Sequence, residues 1–179
     1  MIYVFLADGF EVTEALATVD VLRRAKLPVT TVGIGSEEIT SSHGITVLPD
    51  VVETDLDFED MTAVILPGGM PGTINLENSK TVQSAIKYAV DNNLFIGAIC
   101  AAPSILGHLG LLDGKNATCF PGCEVNEDKV NYTGEPAVAD GKIITGKGAG
   151  AAVEFALKIV SEMVSKEVSE EIRSTMQCP

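Results

Sequence analysis

Positive charge is scarce in this chain: 12 lysines and arginines stand against 25 aspartates and glutamates, a formal net charge of -13 at pH 7. A nucleic-acid-binding surface neutralises phosphates with clustered cations, so nucleic acid is not an expected partner. Long apolar runs are missing too. No stretch approaches the ~18 consecutive apolar residues of a membrane-crossing helix. The first residues, Met1 to Asp8, have no basic leader and reach an acid too early for a secretory signal. The chain is therefore expected in the cytoplasm and off the membrane, with its 4 cysteines as free thiols.

Signatures of metals and cofactors are equally thin. Cys119 and Cys123 lie four positions apart in Cys119-Phe120-Pro121-Gly122-Cys123, but no second pair follows to complete a structural zinc site. No Walker sequence supports phosphate transfer. The run from Gly146 to Ala151 fits a relaxed G-x-G-x-x-A fingerprint. A dinucleotide site also needs a further strand carrying an acid about 20 residues on. Here only one helix and a charged tail follow, so the turn is read as close packing. No metal or cofactor is expected. The two histidines, His43 and His108, are far apart, and neither adjoins a carboxylate. His108 reads as a helix packing residue, and a Cys-His dyad would have to be assembled from distant segments or another subunit.

What the chain does have is a regular alternation of apolar runs and helical periods. Of its 179 residues, 46% are hydrophobic and 21% charged, as in folded globular proteins, and no linker, repeat or low-complexity stretch divides it. One domain over residues 1–179 is expected. Ile2 to Leu6 reads as a strand and Thr13 to Ala25 as a helix with Ala15, Leu16, Val19 and Leu22 on one face. Val29 to Ile34 is a second strand. Ile39 to Ser42 and Ile45 to Leu48 form a hairpin turning at His43-Gly44. Val64 to Leu66 and Leu94 to Ala98 are buried strands, with helices over Ser79 to Asp91 and Pro103 to Leu109. Short strands are expected at Ala117 to Cys119, Ala137 to Ala139 and Ile143 to Thr145, then helices from Ala151 to Val164 and Lys166 to Arg173. Strands separated by helices, several of them continuously apolar, predict a doubly wound, mainly parallel α/β sheet sandwiched between helices. Ligands of such sheets bind beyond the strands' carboxyl ends, which directs attention to the turns after Leu6, Leu66, Ile99 and Thr145.

The turn after Ile99 carries Cys100, where an apolar strand stops at a thiol flanked by Ala98, Ala101 and Ala102. Small neighbours at a sharp strand-to-helix turn are the pattern of a nucleophile elbow. An unpaired cysteine is more often an inert, buried small hydrophobe, but burial explains neither the switch nor the small flanks. At a helix N-terminus the thiol pKa is expected to be lowered. Pro67-Gly68-Gly69-Met70-Pro71-Gly72 is either a tight turn or a source of backbone donors. The amides of Gly69 and Ala101 are the candidates for stabilising an alkoxide. Among the acids after the first strand, Glu11 lies at the helix start, where Asp8 or Thr13 would cap. Glu14 lies within the helix near its apolar stripe, where burial and a neighbouring thiolate would raise its pKa and make it an acid/base group.

These residues, in this order, resemble the DJ-1/PfpI (ThiJ/PfpI) superfamily. The carriers are Ala7-Asp8-Gly9-Phe10-Glu11, Asp20-Val21-Leu22-Arg23-Arg24, Ile65-Leu66-Pro67-Gly68-Gly69, Ala98-Ile99-Cys100-Ala101-Ala102-Pro103 and Gly146-Lys147-Gly148-Ala149-Gly150. The resemblance implies a flavodoxin-like fold, a reactive elbow cysteine at Cys100, a helix glutamate at Glu14 and backbone donors at Gly69 and Ala101. It also implies a homodimer acting on small reactive carbonyls, as a glutathione-independent glyoxalase or deglycase, or else an oxidative-stress sensor oxidised at Cys100. Ala101 follows the cysteine where the protease-like branch has a histidine, which argues against peptidase activity. Phe120 stands where many DJ-1-like members carry a histidine. His43 lies where close relatives place a basic residue reaching toward the partner subunit's thiol.

Overall fold

The computed structural model describes residues 1–178. Its core is a seven-stranded sheet. The first strand, β1 (Ile2–Leu6), is buried at every residue. It leads to helix α1 (Val12–Arg24) and returns through β2 (Val29–Gly33). A small antiparallel hairpin follows, β3 (Ile39–Thr40) with β4 (Thr46–Val47), then the edge strand β5 (Val51–Val52). The chain next crosses to the other side of β1 as β6 (Ala63–Leu66), followed by α2 (Gly72–Asn78) and α3 (Lys80–Asp91). Strand β7 (Phe95–Ile99) leads to the short helix α4 (Pro103–His108). The two-residue strands β8 (Asn116–Ala117) and β9 (Asn131–Tyr132) pair with each other. Then come β10 (Ala137–Asp140), β11 (Ile143–Gly146), α5 (Ala152–Met163) and α6 (Lys166–Thr175).

The sheet order is β10-β11-β7-β6-β1-β2-β5, and every pair is parallel except β10 with β11. This is the doubly wound, flavodoxin-like α/β sandwich. Side chains alternate across the sheet plane, so β1 contributes to both cores. Ile2, Val4 and Leu6 join Ala15, Val19 and Leu22 of α1 and Phe155, Ile159 and Val160 of α5 on one face. Tyr3 and Phe5 join Val82, Ile86 and Ala89 of α3 and Ile105 and Leu106 of α4 on the other. Helices start where a side chain satisfies a free amide: Ser79 caps α3 by accepting from the Val82 N–H, and Ser165 caps α6 through Val168.

Three expectations change. Leu16 stands off the core at 39% exposure, because the buried face of α1 runs through Glu14, Ala15, Thr18, Val19, Val21 and Leu22. The strand expected over Ala117 to Cys119 ends at Ala117, since Thr118 turns its N–H to the Thr145 hydroxyl at 2.9 Å. His108 is half-exposed and meets Glu77 Oε1 at 2.5 Å instead of packing in the core, which ties α4 to α2. The Gly146 turn does serve close packing: a Cβ there would come within 2.8 Å of Ile99 and 2.9 Å of Phe155.

Candidate active site

Four chain segments converge at the carboxyl edge of the sheet, two of them beside the switch point between β1 and β6. Cys100 directly follows β7. Its φ of +66° places it in the left-handed region, a strained conformation for a non-glycine residue that sharp functional turns impose. Neighbouring backbone holds it there: the Cys100 N–H donates to the Gly146 carbonyl at 2.9 Å, and its own carbonyl accepts from the Phe120 N–H at 2.8 Å. The thiol is half-buried.

Glu14 reaches the same point from α1, and at 1% exposure it is the one buried acid among the described residues. Its Oε2 accepts from the Gly68 N–H at 2.8 Å. Its Oε1 is buried with no conventional partner among the described residues. Burial pushes the Glu14 carboxyl up to about 7, aided by the charge of Glu11, against the lowering contacts of the Cys100 thiol and the Gly68 amide. Glu11 is the cap of α1, accepting from the Glu14 N–H at 2.8 Å. Asp8, one of the expected caps, instead accepts from Thr40 N–H at 2.8 Å and fastens the β3–β4 hairpin to the turn after β1.

The expected lowering of the Cys100 pKa does not occur. Burial, then the charge of Glu14 and its hydrogen bond, push the thiol up to about 12, outweighing the amides of Ala101 and Gly69. Helix α4 begins only at Pro103 and spans 6 residues, so its field on a sulfur three positions earlier is weak. The two groups do not both ionise near neutral pH in so crowded a space; they titrate as one pair that keeps a proton there.

Gly69 and Ala101 are brought to the thiol as expected, but their amides address the sulfur itself. Gly68 was not singled out by sequence reasoning. A Cβ there would lie 2.7 Å from the Cys100 Cβ, 2.8 Å from Glu14 Oε2 and 2.9 Å from the Ile99 carbonyl, so only glycine lets thiol and carboxyl approach. The Pro67-Gly68-Gly69 run was the available signal, although sequence alone could not say which glycine faced the thiol. Gly148 is the other unforeseen wall, its Cβ position 3.9 Å from Cys100 Sγ and 3.4 Å from the Phe120 ring. Phe120 is exposed beside it. His43 is at the exposed hairpin tip, its Nδ1 3.1 Å from the Ser42 hydroxyl, and it does not join the Cys100 cluster of its own chain.

A sequence profile of the DJ-1/PfpI family matches residues 1–162. Protein dj-1beta of Drosophila melanogaster is 36% identical over 172 residues, covering 94% of this chain and 92% of that protein. The crystal structure of Drosophila DJ-1beta superposes with a TM-score of 0.92 at 34% identity, over 99% of this chain and 97% of the other. Toxoplasma gondii DJ-1, in a structure described as oxidized, gives a TM-score of 0.92 at 29% identity over 98% and 97% of the two chains. The glutathione-independent glyoxalase DJR-1.2 of Caenorhabditis elegans is 33% identical over 162 residues, 89% of this chain and 86% of that protein. No helix among the described residues is long and apolar enough to cross a membrane. With the profile spanning the sheet and all four segments of the site, and with relatives aligned along nearly their whole length, the chain belongs to the DJ-1/PfpI family.

Proposed function

We propose that this protein is a cysteine-dependent enzyme of small reactive carbonyls, of the glutathione-independent glyoxalase type. The observation that supports it is the convergence of Cys100 and the buried Glu14 on Gly68, 2.7 and 2.8 Å from the same Cβ position, with the carboxyl pushed up to about 7 by burial. The Cys100 sulfur bonds to the aldehyde carbon of a 2-oxoaldehyde, and the developing alkoxide takes a proton from the pair. Glu14, now a carboxylate, removes the hydrogen from that carbon and returns it to the adjacent one, while the hydroxyl proton of the first carbon passes to the oxygen of the second, giving the thioester of a 2-hydroxy acid. Water then cleaves the C–S bond and restores the thiol, so methylglyoxal plus water yields lactate without external oxidant or reductant. The Gly69 and Ala101 amides, which face the sulfur, lie beside the new oxygen two bonds further on and steady it. Hydrolysis of glyoxal-derived adducts, a deglycase reaction, uses the same sulfur addition. The setting is a cytoplasmic homodimer, in which His43 supplies a basic group across the subunit boundary where Phe120 supplies none.

The test is lactate formation from methylglyoxal without glutathione, by wild type and Cys100→Ser. Loss of the covalent nucleophile from the proton-sharing pair is expected to lower turnover by at least ~100-fold. Equal rates would overturn the reading.

A second reading is favoured by the two amides aimed at the sulfur. A sulfinate at Cys100 would accept from both while a protonated Glu14 donated to it, making the protein an oxidative-stress sensor. Mass spectrometry after mild peroxide decides: the sensor requires that Cys100 gain oxygen before Cys119, Cys123 or Cys178.

A further inference from the structure

The segment from residue 118 to 122 walls one side of the Cys100 site with an aromatic side chain that the proposed chemistry does not use. Thr118 anchors it to β11, its N–H on the Thr145 hydroxyl at 2.9 Å. Phe120 is then held at both of its backbone groups: its N–H donates to the Cys100 carbonyl at 2.8 Å, and its own carbonyl accepts from the Cys123 N–H at 2.9 Å. The backbone is fixed, yet the side chain is 52% exposed.

A single exposed apolar side chain is ordinary; what distinguishes this one is the space it borders. A Cβ built on Gly148 would lie 3.4 Å from the Phe120 ring and 3.9 Å from Cys100 Sγ, and apart from its chain neighbours no other atom of the described residues comes within 4 Å. Both are ordinary contact distances. At Gly68 and Gly146 a Cβ would collide, at 2.7 and 2.8 Å, but packing makes no such demand on Gly148. Its backbone makes none either, since a φ of 164° with a ψ of -174° is extended. What the missing side chain provides is room between an aromatic ring and a thiol.

That room suits the part of a 2-oxoaldehyde that varies. Once the aldehyde carbon is bonded to Cys100, the substituent of the ketone carbon is the third atom from the sulfur. A flat ring attached there lies against Phe120, offset or edge to face, whereas a methyl group meets only its border. The charges that bear on the site are carboxylates, Glu14 on Cys100 and Glu11 on Glu14. Lys147, the cation next in sequence to Gly148, turns its ammonium to the Gly134 carbonyl at 3.1 Å. An anionic substituent is therefore disfavoured.

We propose that Phe120 is a specificity-determining residue, whose ring, with the space left by Gly148, selects neutral 2-oxoaldehydes carrying an aromatic substituent. Phenylglyoxal is the simplest of them. This selection rests on the carbonyl reading of Cys100 given above and adds no step to it. Sulfur bonds to the aldehyde carbon, the hydrogen of that carbon moves to the carbon bearing the ring, and water cleaves the C–S bond. Phenylglyoxal plus water yields mandelate, with the thiol restored and no external oxidant or reductant.

The experiment measures kcat and KM for phenylglyoxal, read as mandelate, and for methylglyoxal, read as lactate, in the full chain as wild type, Phe120→Ala and Gly148→Ala. Phe120→Ala is expected to lower kcat/KM for phenylglyoxal relative to methylglyoxal by about tenfold, within the range of one apolar pocket contact. The loss is expected in KM with kcat kept, because the ring touches the substituent and not the reacting atoms. Gly148→Ala places its methyl at ordinary contact distances, so it is expected to keep the wild-type circular dichroism spectrum and to lose the same preference by filling the space. Alkylation of Cys100 by phenacyl bromide relative to bromoacetone makes the comparison without the catalytic cycle, and Phe120→Ala is expected to lower that ratio by about tenfold too. Unchanged ratios in Phe120→Ala, or both substrates falling equally, would overturn the role of Phe120. Equal kcat/KM for phenylglyoxal and the anionic 4-carboxyphenylglyoxal at low salt would overturn the selection of a neutral ring. Turnover of neither substrate by wild type would remove the carbonyl reading; an alkylation preference still dependent on Phe120 would then uphold the recognition of neutral aromatic carbonyls, and its absence would overturn that as well.

Discussion

Replacing Glu14 by glutamine removes one ionisable group from the core while keeping its shape and an oxygen for the Gly68 N–H. In the folded chain the carboxyl rises from 4.5 to about 7 because it is buried; in the unfolded chain it is ordinary. The folded state therefore holds the proton more tightly. This extra stability is fully present below about 4.5 and is lost as pH rises through about 7. A shift of that size corresponds to on the order of 3 kcal/mol. Glutamine cannot titrate, so its variant lacks this trend. Asp50, Asp140 and Glu154 are held below the usual carboxylate range by their hydrogen bonds, so they titrate under this window and are common to both proteins. The assay is urea unfolding of both proteins at several pH values from about 5 to 8. With a slope of about 2 kcal/mol/M, the wild-type midpoint is expected to fall by about 1 to 2 M relative to the variant across that range. Parallel midpoints would refute the claim that Glu14 holds its proton in the folded chain.

Four further outcomes are expected. Gly68→Ala puts a methyl 2.7 Å from the Cys100 Cβ and 2.8 Å from Glu14 Oε2; overpacking of this kind costs about 1–3 kcal/mol, and the variant is expected to show a lower midpoint and slower lactate formation together. Phe120→His places an ionisable ring on the exposed strap beside Cys100 and is expected to raise methylglyoxal turnover about tenfold or more, within the range of general acid-base assistance, with no gain if Glu14 alone handles the protons. Sedimentation is expected to give twice the monomer mass, and His43→Ala to lower turnover in the dimer without dissociating it; an unchanged rate would remove His43 from the chemistry.

The elbow was legible because its causes are local: an apolar strand, a thiol and small flanks leave few other conformations. Glu14 was legible as a buried acid because its helical phase sets it beside Ala15, Thr18 and Leu22. The direction of the Cys100 pKa was not, since the helix that would lower it is only 6 residues long, and the opposing burial comes from segments far away in sequence. Gly68 shows the same limit. That it must be glycine is decided by Cys100 and Glu14, which lie 32 positions after it and 54 before it along the chain. Helix α2 escaped notice because it opens on Gly72 with no side-chain cap, and His108 was misjudged because its partner, Glu77, belongs to that unforeseen helix. The two-residue strands β5 and β9 carry too little period to read.

The central claim is that Cys100 and Glu14 share a proton, and the pH profile of Cys100 alkylation tests it most directly. With Glu14 near about 7 and Cys100 near about 12, the wild-type rate is expected to rise near 7, level off and rise again toward 12. In Glu14→Gln the first step is expected to vanish and the second to move down, because the charge opposing the thiolate is gone. A single ordinary step near ~8.5 in both proteins would contradict the coupling and leave Cys100 an isolated thiol.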